Sequence, residues 1–461
     1  MTGFIDRAEE LAKLEDEYAR DGASFVVVYG RRRIGKTTLI NHFCEDKKAI
    51  YYLATEESEQ ENRNGFKDLV AQAVDNELLA SASVDSWMPI FKCIADESLK
   101  GRIVVVIDEF QNLGKANKAF PSVMQKIWDE VLSKADIMLI LCGSLVNMMT
   151  SQVLSYDSPL YGRRTAQIRL KQIDFRYYHE FEEKLTVDEQ IRQYAVTGGV
   201  PKYIELFSRK KDIFSSIKEN VLSVNSFLYG EPEFLLQKEV SEIGSYFSVL
   251  KTIAAGNRKL SKIAGALGVS QSNLTSYLKT LIDLDILERE VPITEENPEK
   301  SKMGLYRIKD NFIAFWFKFV YPNRSMLESG HVQYVLDKLK DNFVDSHVSY
   351  VYEDICREDV WGLLPSGISV NRVGRWWGSK DIEIDIVAYD SSGTDMVFGE
   401  CKYSKQKKGL EVLRSLQEKS RSVAWKKDTR NEYYVIYSKS GFTADLVEYA
   451  DQHNNIFLKE L

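Results

Sequence analysis

Nine consecutive residues, Gly30-Arg31-Arg32-Arg33-Ile34-Gly35-Lys36-Thr37-Thr38, carry the strongest chemistry in the sequence. Two glycines, a lysine and a hydroxyl at this spacing match the P-loop pattern and can cradle a triphosphate. Gly30 and Gly35 let the backbone curl so that successive N–H groups point at phosphate oxygens, and a helix starting near Gly35 adds the positive end of its dipole. Lys36 then reaches the β- and γ-phosphates, and Thr37 ligates Mg²⁺. Thr38 closes the motif. Arg31, Arg32 and Arg33 read as loop residues near phosphate or solvent rather than as catalysts.

A second group lies at Asp108 and Glu109, after the apolar run Ile103-Val104-Val105-Val106-Ile107. Acids at the C-terminal end of a buried strand fall where parallel sheets bind ligands. Asp108 would hold Mg²⁺, and Glu109 would orient and polarise the attacking water. Ser144 follows a third apolar run, Ile137 to Cys142, at a position that resembles the γ-phosphate sensor of related ATPases. Arg163 or Arg164, after Gly162, could neutralise charge on the transferred phosphoryl group as an arginine finger.

The elements that must position these residues follow from the pattern. Ser24 to Tyr29 and Ala49 to Ala54 are further strand candidates, and alternation with helical stretches implies a doubly wound α/β sheet. Asp6 is expected to cap a helix that starts beside Glu9. The chain has 461 residues, which predicts two to four domains, and a net charge of −7, which argues against coating of nucleic acid by the whole surface. The cysteines Cys44, Cys93, Cys142, Cys356 and Cys401 are scattered and read as reduced thiols of a cytoplasmic protein. No leader pattern or membrane-spanning run is expected, so no membrane partner is either.

Taken together, Phe4 to Leu11, the P-loop, Asp108-Glu109-Phe110-Gln111, Gly143-Ser144, Gly162-Arg163-Arg164 and Thr197-Gly198-Gly199-Val200-Pro201 resemble the archaeal-type AAA+ ATPases, a clade related to the signal-transducing ATPases with numerous domains. The resemblance covers residues 1 to about 230 and implies a P-loop ATPase domain with a helical lid, binding ATP and Mg²⁺. It also places the Phe4 to Leu11 box beside the adenine.

Residues 231–310 change in texture. Leu260 to Ser270 has the spacing of a short helix, a glycine turn and a new helix start, and Gln271 to Asp283 carries Leu274, Tyr277, Leu278 and Leu281 on one face, which together read as a helix-turn-helix. Ile286 to Val291 and Gly304 to Ile308 would form the wing. Gln271, Ser272, Asn273 and Thr275 would then contact DNA. The aromatic stretch Asn311 to Phe317 reads as core packing.

Residues 311–461 hold a third chemical group. Asp385, then Glu400 and Lys402 on the following strand, resemble the core of PD-(D/E)XK nucleases. The resemblance implies an α/β restriction-endonuclease-like domain in which Asp385 and Glu400 bind Mg²⁺ and Lys402 positions the nucleophile. It makes Glu353 the upstream helical acid. The motif departs from the family in having Ile384, not proline, before Asp385. Arg372, Arg375, Trp376, Trp377 and Lys380 mix cations with flat rings and could track a nucleic-acid backbone.

Two functions follow as expectations. One is an ATPase acting on DNA through a winged helix and a nuclease-like domain, with Mg²⁺-dependent phosphodiester cleavage open. The other is an ATP-dependent switch or scaffold that binds DNA or a protein partner without cleavage. A finger acting in trans would require a homo-oligomer.

Overall fold

In the computed structural model, the apolar runs of the first 170 residues become five parallel strands: β1 (Ser24–Tyr29), β2 (Ala49–Leu53), β3 (Ile103–Asp108), β4 (Ile137–Gly143) and β5 (Ala166–Arg169), in the order β2-β3-β4-β1-β5. The structure describes residues 5–207, 212–365, 367–378 and 382–461. Phe4 of the predicted adenine box and Lys380 lie outside them. Every residue of β1, β3 and β4 is buried, as a continuous apolar run in a central parallel strand requires. Val26, Val28, Val104, Val106, Ile140 and Cys142 form the core with Leu39 and Ile40 of the helix Lys36–Cys44.

The pairing of Tyr29 with Gly143, and of Ile107 with Leu141, brings the strand ends to one edge. Gly30 to Lys36, Asp108 with Glu109, and Ser144 therefore emerge together, where parallel α/β sheets bind ligands.

One local expectation fails. Asp6 does not cap the first helix, Ala8–Ala19; the capping position is Arg7, with no side-chain cap. Both residues have positive φ, 58° and 78°, and the Asp6 carboxylate accepts from the Arg7 N–H at 2.7 Å. The tertiary anchor of the Arg7 side chain, described below, outweighs the capping preference.

The chain divides into two compact units. One comprises Met1–Tyr177, Val200–Lys202 and Phe234–Ser241, and the other Tyr178–Gly199, Tyr203–Glu233 and Glu242–Leu461. In the second unit, helices Leu260–Leu267 and Gln271–Asp283 meet at Gly268, whose φ of 67° makes the turn, and are followed by the antiparallel pair β6 (Leu287–Glu290) and β7 (Leu305–Ile308). Leu274, Leu278 and Leu281 are buried, whereas Gln271, Ser272, Asn273 and Thr275 are exposed. Phe312, Phe315, Trp316 and Phe317 are buried, so the aromatic stretch is core.

The same unit ends in a mixed sheet of β8 (Arg372–Trp377), β9 (Glu383–Tyr389), β10 (Asp395–Lys402), β11 (Asn431–Ser438) and β12 (Ile456–Glu460), ordered β12-β11-β10-β9-β8. β8, β9 and β10 pair antiparallel, and β10, β11 and β12 parallel. The hairpin region bonds directly to this sheet, Ile293 N–H donating to the Arg375 carbonyl at 2.9 Å.

Candidate nucleotide site and C-terminal acidic cluster

Gly30 and Gly35 adopt φ of 151° and 93°, and Arg33 between them 71°. A Cβ at Gly30 would stand 2.4 Å from the Leu170 carbonyl oxygen, so only glycine fits there. Lys36 opens the helix and turns back over the loop, its Nζ donating to the carbonyls of Gly30 at 2.9 Å and Arg31 at 2.8 Å. Burial lowers its pKa, with the charges of Glu109 and Asp108 among those opposing. Such an ammonium gains most from an anionic partner. Arg31 is buried, Arg32 exposed, and Ile34 packs under the loop.

Thr37 Oγ1 donates to Asp108 Oδ2 at 3.2 Å. An octahedral Mg²⁺ with bonds of about 2.1 Å holds adjacent ligands about 3 Å apart, so this pair fits the edge of one coordination sphere. Tyr51, from β2, also donates to Asp108 Oδ2, and burial raises the pKa of its phenol.

Glu109 has a φ of 52°, an unusual conformation for a glutamate. Two side chains hold it there. Ser144 Oγ donates to Glu109 Oε2 at 2.7 Å, and Gln111 Nε2 donates to the same oxygen. Its backbone N–H is taken by Asp108 Oδ1 at 2.8 Å.

Sequence reasoning missed two supports. The buried Arg7 guanidinium donates to the carbonyls of Ile34, within the P-loop, at 3.2 Å and of Lys171 at 2.6 Å. Glu239 receives the N–H groups of Val146 and Asn147, just after Ser144, at 2.9 and 3.3 Å. Burial raises the Glu239 pKa, opposed in part by Arg31 and Lys36. The long separations in sequence left no local signal for either.

In the second unit, Glu353 on the helix Ser349–Leu363 and Asp385 on β9 have raised pKa values. For Glu353 the causes are burial and then the Asp385 charge, and for Asp385 burial and then Glu400. Yet each acid is already engaged. Glu353 pairs with Arg375; Asp385 Oδ2 accepts the Cys401 N–H at 2.9 Å; Glu400 is gripped by Lys402 at 2.7 Å and by Lys419 at 2.9 Å. Asp354 is taken by Arg307 and Arg357.

Among the described residues, no three His, Cys, Asp or Glu side chains come close enough to hold a metal ion. The two acids expected to bind Mg²⁺, Asp385 and Glu400, are those engaged by the Cys401 N–H and by Lys402 and Lys419. Cationic side chains, several from elements distant in sequence, pair with the acids of this cluster. Lys402 is likewise committed to Glu400.

Residues 4–207 match a family described as an ATPase domain predominantly from Archaea, and residues 316–413 match a family of archaeal and bacterial proteins of unknown function. An uncharacterized protein of Methanocaldococcus jannaschii, MJECL04, is 35% identical over 443 residues, 95% of each chain. The chain belongs to the family of this archaeal protein, and residues 4–207 are its ATPase domain. The Walker-type ATPase paby2304 of Pyrococcus abyssi superposes with a TM-score of 0.51 at 20% identity, covering 68% of this chain and 96% of that one, which shows a shared fold.

The ATPase thus assembles Lys36, Thr37, Asp108, Glu109 and Ser144 at one sheet edge. It does not bring the two finger candidates there. Arg163 forms a fork on Asp129, at 2.9 Å from each carboxylate oxygen, and Arg164 lies against the Tyr161 ring. In the second unit Trp376 is buried and Arg372 donates to the Tyr389 hydroxyl at 3.3 Å. No helix among the described residues is long and apolar enough to cross a membrane.

Proposed function

We propose that this ATPase hydrolyses ATP with Mg²⁺ and uses the nucleotide state to control DNA binding by its second unit. The observation that carries the hydrolytic part is the convergence of Thr37 on Asp108 and of Ser144 on Glu109. Lys36 would leave the Gly30 and Arg31 carbonyls for the β- and γ-phosphates. Thr37 and Asp108 would hold Mg²⁺, which supplies charge neutralisation of the phosphates. Glu109, fixed by Ser144 and Gln111, would accept a proton from the attacking water. A finger from Arg163 or Arg164 would have to come from a second copy of the chain, and Arg163 would have to leave Asp129.

The DNA part rests on Gln271, Ser272, Asn273 and Thr275, exposed at the start of the second helix of the pair, with the β6/β7 hairpin as the wing. Helix-turn-helix modules read the major groove with the residues at that end. In this reading residues 1–230 are the ATPase domain with its lid, 231–310 the winged helix, and 311–461 a nuclease-like domain. The protein acts in the cytoplasm.

A second reading of the C-terminal domain is favoured by the ion pairs on Glu353 and Glu400: it binds DNA or a protein partner without cutting. The test is ATP turnover and DNA binding on one preparation across a salt series. Turnover with a steep loss of DNA binding as salt rises supports the proposal. Turnover without DNA binding at any salt leaves only the ATPase and turns the second unit toward a protein partner.

A further inference from the structure

A cavity of about 220 Å³ lies in the second unit, between the β7 hairpin strand and the helices around Lys318, and four cations line it: Arg258, Arg307, Arg375 and Lys318. The polar groups of Ser346 and Tyr350 complete its rim. The cavity belongs entirely to the second unit and owes nothing to the P-loop.

The charge balance around it is uneven. Glu290 is shared by three guanidiniums, Arg258 at 2.8 Å, Arg307 at 3.1 Å and Arg375 at 3.9 Å; Arg307 is also paired with Glu288 and Asp354 and Arg375 with Glu353, so Arg258 and Lys318 are the cations with the fewest acids. The Arg258 Nε is buried and has no hydrogen-bond acceptor. Lys318 has no carboxylate within ion-pair distance among the described residues, and its ammonium donates only to the Ser346 carbonyl. Burial lowers its pKa, as it does for Arg258, where Arg375 and Arg307 add repulsion. Cations crowded in a concave, partly desolvated space repel one another, and an anion with several acceptor oxygens relieves that repulsion while satisfying the unused donors.

We propose that this cavity is an anion site that takes a phosphate group. Arg258 offers its Nε–H, which has no acceptor among the described residues, to a phosphate oxygen, and Lys318 adds a point charge. Its volume is below the roughly 300 Å³ at which drug-sized ligand sites begin, so it holds a phosphate with a small substituent and not a whole nucleoside triphosphate. The phosphate belongs either to a small phosphorylated molecule or to the 5′ end of a DNA strand. Both present the same dianionic chemistry.

The test uses the full chain carrying Lys36→Ala, which weakens phosphate binding at the P-loop, and each further variant is compared within that background. Binding of radiolabelled inorganic phosphate and pyrophosphate is measured by equilibrium dialysis, and binding of short DNA with and without a 5′ phosphate by fluorescence anisotropy. Saturable binding that falls roughly tenfold or more in Lys318→Gln and in Arg258→Gln supports the site, since charged hydrogen bonds carry that much affinity. Unaltered melting of Lys318→Gln shows that it is folded, and Arg258→Lys should recover part of the loss. Preference for 5′-phosphorylated DNA over free phosphate assigns the source to nucleic acid, and the reverse assigns it to a small molecule. Absence of saturable binding by all four probes overturns the site. Binding that survives both substitutions also overturns it, because the phosphate then sits elsewhere.

Discussion

Ser144 Oγ donates to Glu109 Oε2 at 2.7 Å, joining the end of β4 to the acid that follows β3. In the proposed mechanism Ser144 would exchange that bond for one to the γ-phosphate, and Glu109 would turn toward the attacking water. Glu109→Gln should keep ATP affinity while lowering turnover by about 10²-fold or more, the usual scale for a lost general base. Ser144→Ala should lower turnover less, because Gln111 still holds the same oxygen. Single-turnover hydrolysis beside a nucleotide-binding titration separates the effects; normal turnover in Glu109→Gln would assign the water to another residue.

Lys36→Ala tests nucleotide binding itself. The ammonium already sits over the loop carbonyls, so the variant loses a charged contact to phosphate without opening the core. Loss of one such contact costs about 1.5–3 kcal/mol, which is roughly tenfold to a hundredfold or more in affinity. Titration with a fluorescent ATP analogue reads it, and unchanged affinity would remove the P-loop assignment.

The buried Arg7 bridges the Ile34 and Lys171 carbonyls with one nitrogen. Arg7→Ala should leave both carbonyls without that donor, lowering the melting temperature and weakening nucleotide binding together. Arg7→Lys should recover little, because an ammonium on a shorter stem lacks the planar reach of the guanidinium. Recovery of both properties by lysine would show that charge alone matters.

Arg7 also marks where sequence reading stops. The buried strands were legible because continuous runs such as Ile103 to Ile107 admit few other environments, and the P-loop because its glycines and lysine serve one purpose. Asp6 was read as a cap from local preference, and a contact across 164 residues overruled it. Tyr51 on Asp108 and Lys419 on Glu400 were invisible for the same reason: register between distant strands and helix placement decide them. The PD-(D/E)XK spacing of Asp385, Glu400 and Lys402 was visible, but not the cations that engage its acids.

His347 predicts an acid-sensitive second unit. It is fully enclosed by Phe315, Phe319 and Phe343, contacts the Ala195 carbonyl at 2.7 Å, and burial lowers its pKa from 6.5 to about 4. Because the folded value is the lower one, the unfolded chain binds more protons between the two. The contribution is therefore complete above pH 6.5 and shrinks as pH falls toward 4, by about 3 kcal/mol in all. Urea unfolding at several pH values should show this slope, and His347→Phe should flatten it. An equal slope in the variant would shift the acid sensitivity to other groups.

The ion pairs of the C-terminal acids give a prediction for the proposed DNA-binding domain. With Glu353 on Arg375 and Glu400 on Lys402 and Lys419, the pure protein with Mg²⁺ or Mn²⁺ should leave plasmid DNA intact, with or without ATP. Lys419→Ala would free one side of Glu400, yet Lys402 would still hold it, so this change alone should not create cleavage. Asp385→Ala should likewise leave DNA binding unchanged, since its carboxylate faces the Cys401 N–H. Cleavage by the native chain that disappears in both Asp385→Ala and Lys402→Ala would reverse this reading. It would mean that DNA or metal draws the acids out of their ion pairs and that the domain is a nuclease.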